Sequence, residues 1–239
     1  MKIKLITILT ILAIVAVAFP ASPAYAQAYS TSFATSITYQ NIGDAAAKVS
    51  LLFYASPDST SPITITRPDL PKGASTSLFI GSVNDIPSNF RGSAILQSDQ
   101  PILATLVQLP QNSTTVKNRP LSNGFQRGDA TSLIATVLKN SFNTSTIFSV
   151  QNVGTAATTA TISFYNTSAA KVHETSATIQ PGAAFFVDAG QVSQLGSSFN
   201  GSVVVTSNGQ VNTSAMALST NGPAASAFEG VSNRNKIFH

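Results

Sequence analysis

The chain repeats itself. Gln40-Asn41-Ile42-Gly43 recurs 111 residues later as Gln151-Asn152-Val153-Gly154. At the same spacing Ala45-Ala46 meets Ala156-Ala157, and Phe53-Tyr54 meets Phe164-Tyr165. After a small slip, Pro71-Lys72-Gly73-Ala74 matches Pro181-Gly182-Ala183. Ser88-Asn89-Phe90-Arg91-Gly92-Ser93 then matches Ser197-Ser198-Phe199-Asn200-Gly201-Ser202 at a spacing of 109. Five anchors in one order at nearly constant spacing mark a duplication. Whatever fold the chain adopts must therefore close within a unit of about 100 residues, twice over.

The pattern inside each unit is β. Thr35 to Gln40 and Thr144 to Gln151 roughly alternate polar and apolar residues before an Asn-x-Gly turn, and Val49–Tyr54 and Ala160–Tyr165 follow as the next strand. Turn residues return every 8 to 12 positions, the rhythm of a sandwich of short strands. Asn208-Gly209 reads as a type I′ turn joining Gly201–Ser207 to Gln210–Ala217 in a hairpin. Asp99-Gln100 reads as its counterpart, joining Gly92–Ser98 to Pro101–Gln108. The expected fold is all-β, two tandem antiparallel β-sandwich domains, with the first over residues 27–121 and the second over 122–239.

The shared residues have structural readings. Phe53, Phe90, Phe164 and Phe199 are expected to anchor the core between sheets. Gly92 and Gly201 open strands where a side chain would meet neighbouring backbone. Asn41 and Asn152 suit Asx-turns, with Gly43 and Gly154 supplying positive φ. A rival reading makes Gln40-Asn41 and Gln151-Asn152 a ligand-contacting pair; ordinary turn chemistry favours the first.

The N-terminus sets the compartment. Lys2 and Lys4 precede an apolar run from Leu5 to Phe19, and Ala24-Tyr25-Ala26 fits a small-residue cleavage site. Residues 1–26 are expected to be a signal peptide, and the run is shorter than the roughly 20 residues of a membrane-spanning helix. The protein is accordingly expected to be secreted or held at the cell surface, with no membrane span after cleavage. Loss of the two lysines leaves 11 basic residues against 9 acidic ones, a net charge of +2. With the basic residues scattered, nucleic acid is not an expected partner.

Only 9% of residues are charged, against about a quarter in an average soluble domain. A hydrophobic content of 43% is still enough to bury a core. Cysteine is absent, which leaves neither disulfides nor thiolate metal sites. Catalytic groups are as sparse. His173 is the one internal histidine of the mature chain, in a segment that reads as a solvated loop, and the acids stand singly. Asp58 and Asp69 share a turn-rich stretch but fall short of a calcium ligand set. No enzyme activity, cofactor or metal is expected. Trp, the favoured sugar platform, is missing.

The Gln-Asn-x-Gly strand end, the Phe-Tyr strand, the Pro-Gly-Ala bend and the Phe-x-Gly-Ser strand start resemble repeats of tandem Ig-like β-sandwich proteins secreted to bacterial cell surfaces. The segments Asn123-Gly124-Phe125 through Phe142-Asn143-Thr144 are similar to the join between such repeats. The resemblance spans nearly all of residues 30–231 and implies Ig-like architecture and an exterior location. It does not imply a uniform activity. The function expected on these grounds is a non-catalytic structural or adhesive one: a surface-layer, filament or adhesin component, with other protein chains or cell-surface polymers as partners. The alternative is a carbohydrate- or protein-binding module that assists exported enzymes.

One strand is unaccounted for. Thr131–Lys139 is a strong strand candidate ahead of the second Gln-Asn-x-Gly strand, and its counterpart 111 residues earlier falls at residues 20–28, mostly within the leader. One unit is therefore expected to lack a strand, and an unfilled edge invites capture of a strand from another chain. Gln27–Phe33 or Asn235–His239 of another copy are candidate donors for a homo-oligomer by strand exchange. The plainer alternative, favoured by how routinely natural sheets protect their edges, is a chain that tolerates a short edge or fills it internally with Tyr29–Ala34.

Overall fold

Alternation decides which residues turn inward. Val49, Leu51 and Phe53 share one face of their strand and are buried, as are Ala160, Ile162 and Phe164 on the corresponding strand. The computed structural model describes residues 31–111 and 113–232; the expected signal peptide and the segment 233–239 lie outside the described residues. The described chain is mostly β-strand, and its helical turns are three short 3-10 segments.

The strands of the first half are β1 (Ser32–Asn41), β2 (Val49–Ala55), β3 (Ile63–Thr66), β4 (Ser75–Phe79), β5 (Gly92–Ser98), β6 (Ile102–Gln111) and β7 (Leu121–Asn123). They form two antiparallel sheets, β4-β1-β6-β7 and β3-β2-β5. The second half contains β8 (Asp129–Lys139), β9 (Thr144–Asn152), β10 (Thr158–Asn166), β11 (Lys171–Ile179), β12 (Ala184–Asp188), β13 (Phe199–Ser219), β14 (Ala225–Glu229) and β15 (Val231–Ser232). Its pairings repeat those of the first half, with β12-β9-β13-β14 on one side and β11-β10-β13 on the other. The second path then continues beyond β13 into β8 and β15.

Both expected hairpins are absent. β13 runs unbroken for 21 residues through Asn208-Gly209: its first part pairs with β10 and β8, its last part with β9 and β14. Gly201–Ser207 and Gln210–Ala217 therefore pair with different neighbours, and β13 joins the two sets of strands into one eight-stranded sheet. In the first half the chain bends at Asp99-Gln100, and β5 joins β2 while β6 joins β1. At each crossover the side chain of the turn residue bonds the backbone of the neighbouring strand. Asn208 Oδ1 accepts from Thr159 N at 2.9 Å, and Asp99 Oδ1 accepts from Lys48 N at 2.8 Å. Each holds the crossover against the start of β10 or β2 instead of folding it back, and Gly209 does not take the positive φ that a type I′ turn needs.

Two main cores result. One gathers Ile37, Tyr39, Leu51, Phe53 and Leu78 of the first half; the other gathers Ile134, Val137, Phe148, Ile162, Phe164 and Val205 of the second. A small third cluster joins Val116 to Ile147, Leu218 and Ala225. The boundary expected between residues 121 and 122 falls inside β7, and the break between strands lies at residues 124–128.

Candidate functional site

The second half shows what a completed sheet looks like. The stretch Phe199–Ser207 is flanked by β10 on one side and by β8 on the other, from Phe199↔Lys139 to Thr206↔Thr131. β8 contributes Ile134 and Val137, both fully buried, to the core. In the first half the equivalent strand β5 pairs with β2, and no strand among the described residues takes the place of β8. Ser32–Ala34 does not fill it, because those residues belong to β1 and pair with β6.

Among the described residues the core is less covered on this side. Phe90, Ala94, Leu96, Ile102 and Leu106 are only partly buried, whereas Phe199, Val203, Val205, Val211 and Ala215 at the matching positions are buried. A groove of about 2090 Å³ opens there, between the inward faces of β5 and β6 and the outer face of β9, β12 and the end of β13. Its edge strand, Gly92-Ser93-Ala94-Ile95-Leu96-Gln97-Ser98, contains no charged residue and no proline, the usual guards of an exposed sheet edge. The second half leans over one end of the groove. Gln151 Nε2 donates to Ala94 O at 3.4 Å and to Gly182 O at 3.1 Å, Arg91 lies 4.6 Å over the Phe186 ring, and Ser93 Oγ donates to Gly182 O at 2.6 Å. Sequence reasoning missed these contacts between halves, which join residues remote in the chain.

The shared motif residues lie elsewhere, inside each half. Asn41 Nδ2 donates to Ala45 O at 2.7 Å and Leu70 O at 2.9 Å, while its Oδ1 accepts from Gly43 N at 2.9 Å. Asn152 repeats this with Ala156 O, Ile179 O and Gly154 N at 2.8, 2.9 and 2.9 Å. Both side chains are fully buried. Gln40 Nε2 donates to Gly73 O at 3.1 Å, so Gln40 braces the bend beside its asparagine. Gly43 and Gly154 do not adopt positive φ, contrary to expectation; that conformation falls on Gly73 and Gly182 in the Pro-Gly bends. What Gly43 provides is room, since a Cβ there would lie 2.6 Å from Gln100 Oε1. Gly92 and Gly201 are tighter still. A Cβ at Gly92 would run into Tyr54 O and lie 2.7 Å from Phe90 Cζ; at Gly201 it would run into Tyr165 O and lie 2.5 Å from Phe199 Cζ. Phe53, Phe164 and Phe199 are buried, and Phe90 packs edge-on to Phe53 at 6.1 Å.

His173 is not in a solvated loop. It lies on β11 opposite Phe164, with ring centroids 5.6 Å apart, and its Nε2 is buried without a hydrogen-bond partner. Burial lowers its pKa, and the nearby Glu174 carboxylate opposes part of that shift. Glu174 itself accepts from Lys171 Nζ and Ser163 Oγ, both at 2.7 Å, and its carboxyl is held below the usual value chiefly by Lys171. Among the described residues no group of three or more His, Asp or Glu side chains gathers as a metal site, and Asp58 and Asp69 belong to no such group. No helix among them is long and apolar enough to cross a membrane. No protein-family model matches the chain, and no curated protein matches it.

Proposed function

We propose that the chain is a secreted, non-catalytic structural or adhesive component of a bacterial surface, built as two tandem Ig-like β-sandwiches behind a cleaved signal peptide. The observation that carries the reading is the employment of the repeated residues. Asn41 and Asn152, Gly92 and Gly201, Phe53 and Phe164 bond their own backbone, admit a neighbouring strand or fill a core. Duplicated residues maintain the scaffold, and the surface that departs from the duplication is a groove of mixed polar and apolar lining along a sheet edge that no described strand pairs, the kind of edge to which an extended polypeptide adds. Low charge and the absence of cysteine fit an exported chain that depends on burial and strand pairing.

Cell fractionation with N-terminal sequencing, followed by negative-stain microscopy of the native exterior material, tests the proposal. The expected result is a chain starting at Gln27 and found in a lattice, filament or cell-attached layer. Recovery of the intact chain from Met1 in the cytoplasm overturns it.

A further inference from the structure

We infer that the groove beside β5 is filled by a second copy of this chain, whose segment Asn235–His239 lies along β5 in the place that β8 occupies in the second half. The inference rests on the exterior structural role and specifies how copies join.

The chain already shows the arrangement once. Gly124 N donates to Ala104 O at 2.8 Å on leaving β7, and Gly230 N donates to Thr213 O at 2.8 Å on leaving β14; Ala104 and Thr213 are equivalent positions of the duplication. The two glycines are thus the same exit point, 106 residues apart. Five residues after Gly124 begins Asp129, the first residue of β8, which enters the strand place of the second half. Five residues after Gly230 is Asn235, and the strand place of its own half is taken by β8. Among the described strands the remaining place of that kind is beside β5.

The side chains fit the exchange. On the spacing of 106, Phe238 corresponds to Ser132, an inward residue of β8 whose Oγ lies 2.7 Å from Thr213 Oγ1 and which pairs with Val205. In the first half the equivalents of Thr213 and Val205 are Ala104 and Leu96, both apolar and only partly buried. A hydroxyl pair in the filled half is therefore matched by an all-apolar set in the open half, where a phenyl ring covers Leu96 and Ala104 better than a serine would. Backbone pairing to β5 supplies the rest, as in other strand additions to a sheet edge.

Light scattering on the mature full chain, on the chain lacking residues 233–239, and on Phe238→Asp tests the inference. The intact chain is expected to form multiples of the protomer mass that grow with concentration, and both variants to fall to a single protomer with unchanged circular dichroism. A labelled peptide Asn-Arg-Asn-Lys-Ile-Phe-His is expected to bind the truncated chain, and Ala104→Arg to abolish that binding. Mixing Gln97→Cys with Ile237→Cys, positions that face each other in this register, is expected to give a covalent heterodimer on oxidation; Ser59→Cys in place of Gln97→Cys is expected to give none. An intact chain that stays monomeric, or assemblies that survive removal of residues 233–239, overturns the inference. A monomer found at the cell exterior leaves the structural proposal standing, and a cytoplasmic chain that still assembles through Phe238 overturns that proposal alone.

Discussion

Asn41 and Asn152 make the same five hydrogen bonds. Besides the three side-chain bonds, each backbone N–H donates to the residue after the bend glycine (Ala74 or Ala183, 3.0 Å each), and each C=O accepts from that glycine (Gly73 at 3.0 Å, Gly182 at 2.9 Å). One buried amide thus ties the end of the first strand, the turn after it and the bend before the fourth strand. Those segments carry little regular structure of their own, so the asparagine satisfies backbone groups that would otherwise be buried without partners.

Asn152→Ala is expected to cost about 3 kcal/mol in chemical denaturation, because Ile179 O and Gly154 N lose partners away from water. Asn152→Asp is expected to be worse at pH 7, where a carboxylate would face Ala156 O and Ile179 O, and to recover partly as the pH falls below the carboxylate range. An Asp variant as stable as the parent at neutral pH would show that the amide donors are not needed.

Gly73 and Gly182 hold the same bend with φ of +75° and +80°, but their surroundings differ. A Cβ at Gly73 has nothing within 4 Å, whereas one at Gly182 would lie 2.5 Å from Tyr54 Cζ of the first half. Gly73→Ala is expected to cost only the left-handed strain of about 1–2 kcal/mol. Gly182→Ala is expected to cost more and to loosen the halves, and Tyr54→Ala is expected to rescue part of the excess in a double-mutant cycle. Equal losses at the two glycines would place Tyr54 away from the bend.

The strands were legible because alternation and duplication both mark them, and Asn41 was legible because Asn-x-Gly is local chemistry. The crossovers at Asp99 and Asn208 were not. Asn-Gly supports a tight turn, but whether the chain folds back depends on Thr159 and Lys48, 49 and 51 residues away. The sequence signal was the pair of short polar acceptors at equivalent positions, Asp99 between two strands and Asn208 inside one. The place beside β5 that no described strand fills was legible only as a missing counterpart of Thr131–Lys139. Its location needed strand partners that spacing alone does not assign.

Phe199 and Phe90 are equivalent rings in unequal cores. Phe199 is buried beneath β8 and packs on Phe164 at 6.2 Å, while Phe90 borders the groove. Phe199→Ala is expected to cost about 3–5 kcal/mol. Phe90→Ala is expected to cost distinctly less in the isolated chain, because water already reaches its surroundings. Matching losses in thermal unfolding would mean that the first half is as closed as the second.

His173 gives stability a dependence on pH near neutrality. Its ring rests on Phe164, its Nε2 is buried without a partner, and burial holds its pKa below the ordinary 6.5. The unfolded chain therefore takes up a proton at higher pH than the folded one. The contribution is fully present above 6.5 and is lost as pH falls through the lower folded value. Glu174 acts in the same direction lower down: its carboxyl is held below 4.5 mainly by Lys171, so its contribution is present above 4.5 and is lost as pH falls through its folded value. Both partners are exposed, so this second component is expected to be small and to shrink with salt. His173→Val keeps an apolar contact on Phe164 and removes the titration. Denaturation midpoints followed from pH 7.5 downward are expected to fall from about 6.5 in the parent chain, and the variant is expected to lack that component while retaining the loss below 4.5. If parent and variant decline in parallel between those limits, the slope belongs to other groups and His173 is no more than a packing residue.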